Sequence, residues 1–300
     1  MHSRSDSFEN VYDATASGLN SAATNVAFLV VPEWARLADF NWLWHGFSTR
    51  VGGVSRVYLP EDKKDSAGEL SGELNLGFTA ADSPENVREN RLRFVEAVTG
   101  SRETPLVAVR QVHSSVSAVL RAPEIGFPLD AIPQADAIIT NQPGVLLAIQ
   151  TADCIPVLVV DRKRRVAAGF HAGWRGTVQR IVESGIGQMR EEFGCEPGDL
   201  VAAIGPGIGA CCYTVGEEVL EQFTANFAYA AELFRRDKGG QGALRLDLTE
   251  ANRRQLLDAG LRASSIATVG GCTACQPEIF YSHRASGGHA GRMMSVIGIR

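Results

Sequence analysis

Apolar residues in this chain gather in short runs bounded by charged or turn-forming residues, a pattern of β-strands more than of long amphipathic helices. The clearest pair of runs is Ile155-Pro156-Val157-Leu158-Val159-Val160 and Arg165-Val166-Ala167-Ala168-Gly169-Phe170. They flank the charged stretch Asp161-Arg162-Lys163-Arg164 and predict a β-hairpin. With Arg162 and Lys163 as a two-residue loop, Asp161 pairs with Arg164 and Cys154 falls opposite His171. Directly opposed residues hold their Cβ atoms about 4.5–5.5 Å apart. A thiolate and an imidazole so placed can share a metal ion or act as nucleophile and base.

The same reading places further strands at Ala27–Val31, 42–50, Pro105 to His113, Ala137–Thr140, Val145–Ile149 and Leu200–Ile204, with the last ones near 264–269, 278–282 and 292–299. Ser83-Pro84-Glu85 opens a helix to about Val98, with a serine cap, proline at the first position and then an acid. Other helices are predicted from Thr177 to about Phe193, over 216–235 and over 249–259. Strands dominate the centre and helices flank them. The fold class is therefore α/β, in an α+β layered form: a mixed β-sheet core flanked by helices. Residues 1–25 are polar and read as a disordered N-terminal extension, and 26–300 as a single domain without a linker. The breaker-rich stretch 60–73 reads as a surface loop.

Composition narrows the function classes. The 300 residues are 45% hydrophobic and 21% charged, as in ordinary globular proteins. No apolar run approaches the roughly 20 residues of a membrane helix, and the start lacks the pattern of a signal peptide. A net charge of −5 gives no reason to expect nucleic-acid or membrane partners. Six cysteines are too few for a disulfide scaffold. A reduced, cytoplasmic protein is expected, with its cysteines available for packing, metal binding or catalysis.

His113, at the end of a predicted strand, is added to Cys154 and His171 as a third member. Two imidazoles and a thiolate are good zinc ligands, and a catalytic zinc keeps three protein ligands and one open position. The segment His171-Ala172-Gly173-Trp174-Arg175-Gly176-Thr177 leads into a helix, and its glycines and Arg175 suit an anion. Gly205-Pro206-Gly207-Ile208-Gly209 follows a strand and reads as a turn or a pocket wall. Asp153 can orient Arg175, act as a base or serve structure alone. Cys272-Thr273-Ala274-Cys275 has the spacing of a redox motif or zinc knuckle, but no second pair is obvious for a closed site, and Cys211-Cys212 joins it only if the fold so places it.

Several strings stand out along the chain: His45-Gly46-Phe47-Ser48-Thr49-Arg50, Leu74-Asn75-Leu76-Gly77, Gln111-Val112-His113-Ser114, Ala135-Asp136-Ala137, Thr151-Ala152-Asp153-Cys154-Ile155-Pro156, His171-Ala172-Gly173-Trp174-Arg175-Gly176, Gly205-Pro206 with Cys211-Cys212-Tyr213, Cys272-Thr273 and Gly291-Arg292-Met293. Together they resemble the laccase-domain family, also called multicopper polyphenol oxidases, which includes peptidoglycan editing factors. The resemblance spans roughly 40–300. It implies a fold similar to the catalytic domain of cytotoxic necrotizing factors, and zinc held by His113, Cys154 and His171 as the catalytic centre. It also implies phosphorolysis of purine nucleosides (adenosine, inosine, guanosine, methylthioadenosine) and deamination of adenosine. The partners are then a purine nucleoside and phosphate, with Arg50 and Arg175 as the anion-binding candidates. The loop at 60–73 is longer than the family's usual link, and the first 25 residues have no counterpart.

Three other activities compete. A copper-dependent phenol oxidase needs a cluster of imidazoles, and the chain has six histidines and no His-x-His pair. Cys154 with His171 as base gives a deamidase or hydrolase. An amidase that edits peptidoglycan precursors in the cytoplasm is the third. The sequence leaves the oligomeric state open.

Overall fold

The computed structural model describes residues 19–20, 25–59, 72–128, 130–237 and 242–300. The predicted hairpin forms over Ile155–Asp161 and Val166–Ala172, but in a different register. Asp161 pairs with Val166 and Pro156 with His171, so Cys154 does not lie opposite His171. The cause is the turn. Asp161 Oδ1 accepts the amides of Lys163 and Arg164, each at 2.8 Å. Arg165 takes a left-handed φ of 52°, which leaves Arg162 to Arg165 as the loop. The slip is an even number of residues, so every side chain keeps its expected face. Cys154 and His171 remain on one side as diagonal neighbours.

Two mixed sheets form, where the sequence suggested one. The first runs in the order Leu19–Asn20, Phe28–Leu29, Leu43–Ser48, Met293–Ile299, Leu146–Thr151, Leu106–Ala108. The second runs Ile266–Thr268, Leu200–Ile204, Ile155–Asp161, Val166–Ala172, Ala137–Thr140, Ser117–Leu120. Both hairpin strands are buried along their whole length, which explains their continuous apolar runs. Alternate residues serve two cores. Leu158, Val160 and Ala167 meet Leu147, Ile149 and Ile297 of the first sheet. Val157, Val159 and Phe170 instead pack with Ile181, Met189 and Leu256 of helices Ile181–Phe193 and Leu248–Asp258. On the far side of the first sheet, Ala148 and Val296 cover Phe94 and Val95 of helix Pro84–Thr99. The layers are thus helix, sheet, sheet, helix. Each large apolar side chain fully buried in them contributes about 1.5–3 kcal/mol.

Helix Pro84–Thr99 begins at the expected cap, where Ser83 accepts the Asn86 amide. The helix predicted over 177–193 divides into Trp174–Val178 and Ile181–Phe193, because Arg180 adopts φ 60°. The predicted 216–235 helix ends at Asn226, and Ala230–Leu233 leads into strand Phe234–Arg236. Residues 278–282 form a turn in place of a strand, with Phe280 and Tyr281 buried. Of the polar stretch 60–73, all but Gly72–Glu73 lies outside the described residues. Most of the expected extension 1–25 does too, while Leu19–Asn20 pairs with Phe28–Leu29. No helix among the described residues is long and apolar enough to cross a membrane.

Candidate metal centre

Three separate segments deliver His113, Cys154 and His171 to one place, with their ligand atoms all within 4.8 Å of one another. Cys154 immediately precedes strand Ile155–Asp161, and His171 is the penultimate residue of Val166–Ala172. His113 comes from the loop after Leu106–Ala108 and has φ 61°, an uncommon value for a non-glycine residue. Two sets of hydrogen bonds hold that loop. The Gln111 side-chain amide brackets the Gln150 backbone, donating at 2.8 Å and accepting at 2.7 Å. The Asp136 carboxylate accepts the amides of Val112 at 3.1 Å, His113 at 2.9 Å and Ser114 at 2.6 Å.

Asp136 is fully buried and also lies 2.8 Å from Nδ1 of His171. Burial alone would raise its carboxyl pKa. Hydrogen bonds from His171 and Ser114 override that penalty and hold it far below the usual carboxylate range. With Nδ1–H donated to this acid, Nε2 keeps its lone pair for a metal, the usual support for a ligating histidine. In the sequence Asp136 stood only as part of a family string with no role. The available signal was one acid set between buried alanines at a strand start.

The local electrostatics favour a cation. Burial opposes charge on both partners, yet thiolate and imidazolium stabilise each other. Cys154 is lowered to about 6, with His171 and His113 both helping, and His171 is raised to about 9, with Asp136 assisting. A metal ion bound between them would take the place of the imidazolium proton. Space is reserved as well. A Cβ on Gly173 would lie 3.0 Å from Cys154 Sγ and 3.2 Å from His113 Cδ2. The donor set, the reserved space and the outer carboxylate all fit a metal with three protein ligands.

Asp153, beside Cys154, is buried with φ 90°. Its carboxylate accepts the Thr273 hydroxyl at 2.6 Å and the Arg284 amide at 2.7 Å. It ties the start of the central strand to the C-terminal loops and does not engage Arg175. Arg175 is exposed at the start of helix Trp174–Val178, over the Trp174 ring, and has no ion-pair partner among the described residues. The Tyr213 hydroxyl, in the field of both Cys154 and Arg175, is held protonated to about 12, mainly by burial. The guanidinium of Arg284 lies 5.3 Å from its ring. Sequence reasoning gave Tyr213 and Arg284 no part here.

Arg50 is placed differently. Its guanidinium binds the Glu73 carboxylate and the carbonyls of Pro277 and Tyr58, and lies over the Tyr281 ring at 4.7 Å. Glu73 already balances its charge, and no contact joins it to His113, Cys154 or His171. The Gly205–Gly209 turn does form a pocket wall, lining a cavity of about 410 Å³ with Cys211 and Cys272.

Residues 44–300 match the family model described as multi-copper polyphenol oxidoreductase laccase. The chain belongs to this family. Its laccase-family relatives include the protein named purine nucleoside phosphorylase YlmD from Bacillus subtilis (strain 168). That protein is 32% identical over 281 residues, covering 92% of this chain and 96% of its own. Another, adenosine deaminase RL5 from an unknown prokaryotic organism, is 32% identical over 255 residues, covering 84% and 96%. The crystal structure of the Bacillus licheniformis hypothetical protein YfiH superposes with a TM-score of 0.78 at 29% identity, covering 94% of this chain and 99% of the other. The mixed α/β architecture is therefore shared with this solved structure.

Proposed function

We propose that this chain is a zinc-dependent purine nucleoside phosphorylase that also deaminates adenosine. The observation that carries the reading is the convergence of His113, Cys154 and His171 on one centre, oriented by Asp136, beside the unpaired Arg175. The names of the relatives supply the substrate class, purine nucleosides with phosphate. When bound, zinc supplies Lewis acidity toward a polar atom of the substrate. Two histidines, one cysteine and an open position are the ligand set that a catalytic zinc takes.

The protein's own groups do the rest. Arg175 presents a guanidinium fork to phosphate, next to the backbone of Gly173 and Trp174. A phosphate oxygen attacks C1′ of the ribose, the C1′–N9 bond breaks, and the purine leaves with the bonding pair and takes up a proton. Asp136 keeps Nδ1 of His171 occupied, so the imidazole holds a single tautomer throughout. The protonated Tyr213 is an available donor beside Cys154.

Phenol oxidation has less support. A multi-copper centre needs a cluster of imidazoles, and the one histidine-bearing group of three or more metal-binding side chains among the described residues offers two. Cys154 as a free nucleophile conflicts with its place among metal ligands.

The test is an assay of purified, metal-loaded protein with inosine and phosphate. Hypoxanthine and ribose 1-phosphate are expected, and adenosine is expected to yield inosine as well as adenine. If the metal-loaded protein releases no base from any purine nucleoside, the reading fails.

A further inference from the structure

Outside this centre the chain builds a second cluster of soft ligands. Cys211, Cys212, Cys272 and Cys275 bring four Sγ atoms within 4.8 Å of one another. The two pairs lie far apart in sequence. The turn after strand Leu200–Ile204 carries Cys211 and Cys212, and a parallel bridge between Gly207 and Cys272 sets the Cys272–Cys275 turn alongside it. Cys275 reaches both members of the other pair, at 3.4 Å from Cys211 Sγ and 3.3 Å from Cys212 Sγ. Cys272 Sγ accepts the Gly209 amide at 3.2 Å, the type of bond that orients and steadies a ligating thiolate. A Cβ on Gly209 would lie 3.2 Å from both Cys211 Sγ and Cys272 Cβ, so a side chain there would crowd the cluster.

Neither packing nor disulfide formation explains the arrangement. A cysteine that serves as a small hydrophobe is buried, as Cys195 is, whereas Cys211 and Cys275 are exposed. A disulfide joins two sulfurs at about 2.0 Å in discrete pairs, but here all four cysteines are free, Cys275 lies 3.3–3.4 Å from both Cys211 and Cys212, and all four sulfurs lie within 4.8 Å of one another. Four sulfurs around zinc at about 2.3 Å stand roughly 3.8 Å apart at the edges of a tetrahedron. The observed 3.3–4.8 Å range brackets that edge. Arg245, held by an ion pair with Asp237, donates to the Cys211 carbonyl at 2.5 Å and so steadies the backbone of this turn.

We propose that Cys211, Cys212, Cys272 and Cys275 form a second, closed zinc site that is structural and independent of the phosphorylase reading. Its link to the first centre is short. Thr273, between two of these ligands, donates to Asp153, and Asp153 precedes Cys154. Zinc at the four sulfurs therefore braces the segment that presents Cys154.

The full-length protein, stripped of metal under reducing conditions, is titrated with zinc alone and separately with cobalt(II). Two zinc ions per chain are expected in the wild type. The His113→Ala/Cys154→Ser variant should retain one and show the sulfur-to-cobalt charge-transfer absorption of a tetrathiolate site. The Cys272→Ser/Cys275→Ser variant should also retain one, at the histidine-bearing centre. If that variant does not fold, Cys275→Ser alone should weaken zinc binding at this site at least about ten-fold. Zinc should also protect all four thiols from alkylation. The proposal is overturned if the wild type binds one zinc and His113→Ala/Cys154→Ser binds none, or if the four cysteines alkylate freely in zinc-saturated protein. A failed nucleoside assay leaves every one of these measurements unaffected.

Discussion

Asp136 accepts a 2.8 Å hydrogen bond from Nδ1 of His171 while holding the backbone amide of His113 at 2.9 Å. One buried acid thus aims two metal ligands that arise from different segments. Asp136→Asn keeps the size but loses the charge and one acceptor. Metal affinity should fall about 10–100-fold, read by competition with a chelator at neutral pH. Wild-type affinity in this variant would show that the carboxylate does not orient the site.

Gly173 tests the reserved space. Its φ of −68° suits any residue, so Gly173→Ala carries no backbone strain. The added methyl would meet Cys154 Sγ at 3.0 Å. Metal content should drop sharply while the thermal midpoint of the metal-free protein stays within a few degrees of wild type. Full metal loading of the alanine variant would refute the crowding argument.

The two candidate arginines should separate cleanly. Arg175→Ala should raise KM for phosphate about ten-fold or more and leave stability nearly unchanged, because the side chain is exposed. Arg50→Ala should do the reverse. It removes a guanidinium bound by the Glu73 carboxylate and by the carbonyls of Pro277 and Tyr58, and should cost roughly 1–3 kcal/mol in denaturant unfolding. Equal effects of the two variants on phosphate KM would restore Arg50 as an anion ligand.

His45 sets a pH dependence of stability. Burial, with a smaller repulsion from Arg300, lowers it to about 4 from its ordinary 6.5. Protonation would also break the 3.0 Å bond that Nε2 accepts from the Val31 amide. On acidification the unfolded chain therefore takes the proton first. The stabilisation is complete above about pH 6.5 and is lost as the pH falls toward 4, by about 3 kcal/mol. Urea unfolding across this range should show the slope, and His45→Gln should remove most of it. An unaltered slope in the variant would assign it to other groups.

Local signals carried well from sequence to structure. The Ser83 cap and the apolar hairpin runs lie where local patterning put them. The hairpin slip came from Asp161 capping its own turn, a side-chain bond that strand patterning does not encode. Because the slip was even, the pairing of Cys154 with His171 at one site survived it. Two sheets were read as one because alternate residues of fully buried strands are all apolar, so nothing in the string marks which face meets which partner. Arg50 looked like Arg175 in sequence, a cation beside glycines, and only tertiary pairing with Glu73 tells them apart. The four-cysteine group was legible only as two separate pairs, for a related reason. Its halves meet through a parallel bridge across some sixty residues, and spacing rules read only what is near in the chain.

Strand Met293–Ile299 sits between Leu43–Ser48 and Leu146–Thr151 in the first sheet, and Met294 donates to Ser48 across 246 residues. During translation the two flanking strands emerge long before the segment that joins them. A ribosome-bound nascent polypeptide must carry both as open, apolar edges, so this half of the molecule cannot assemble vectorially and is exposed to aggregation until its far partner arrives.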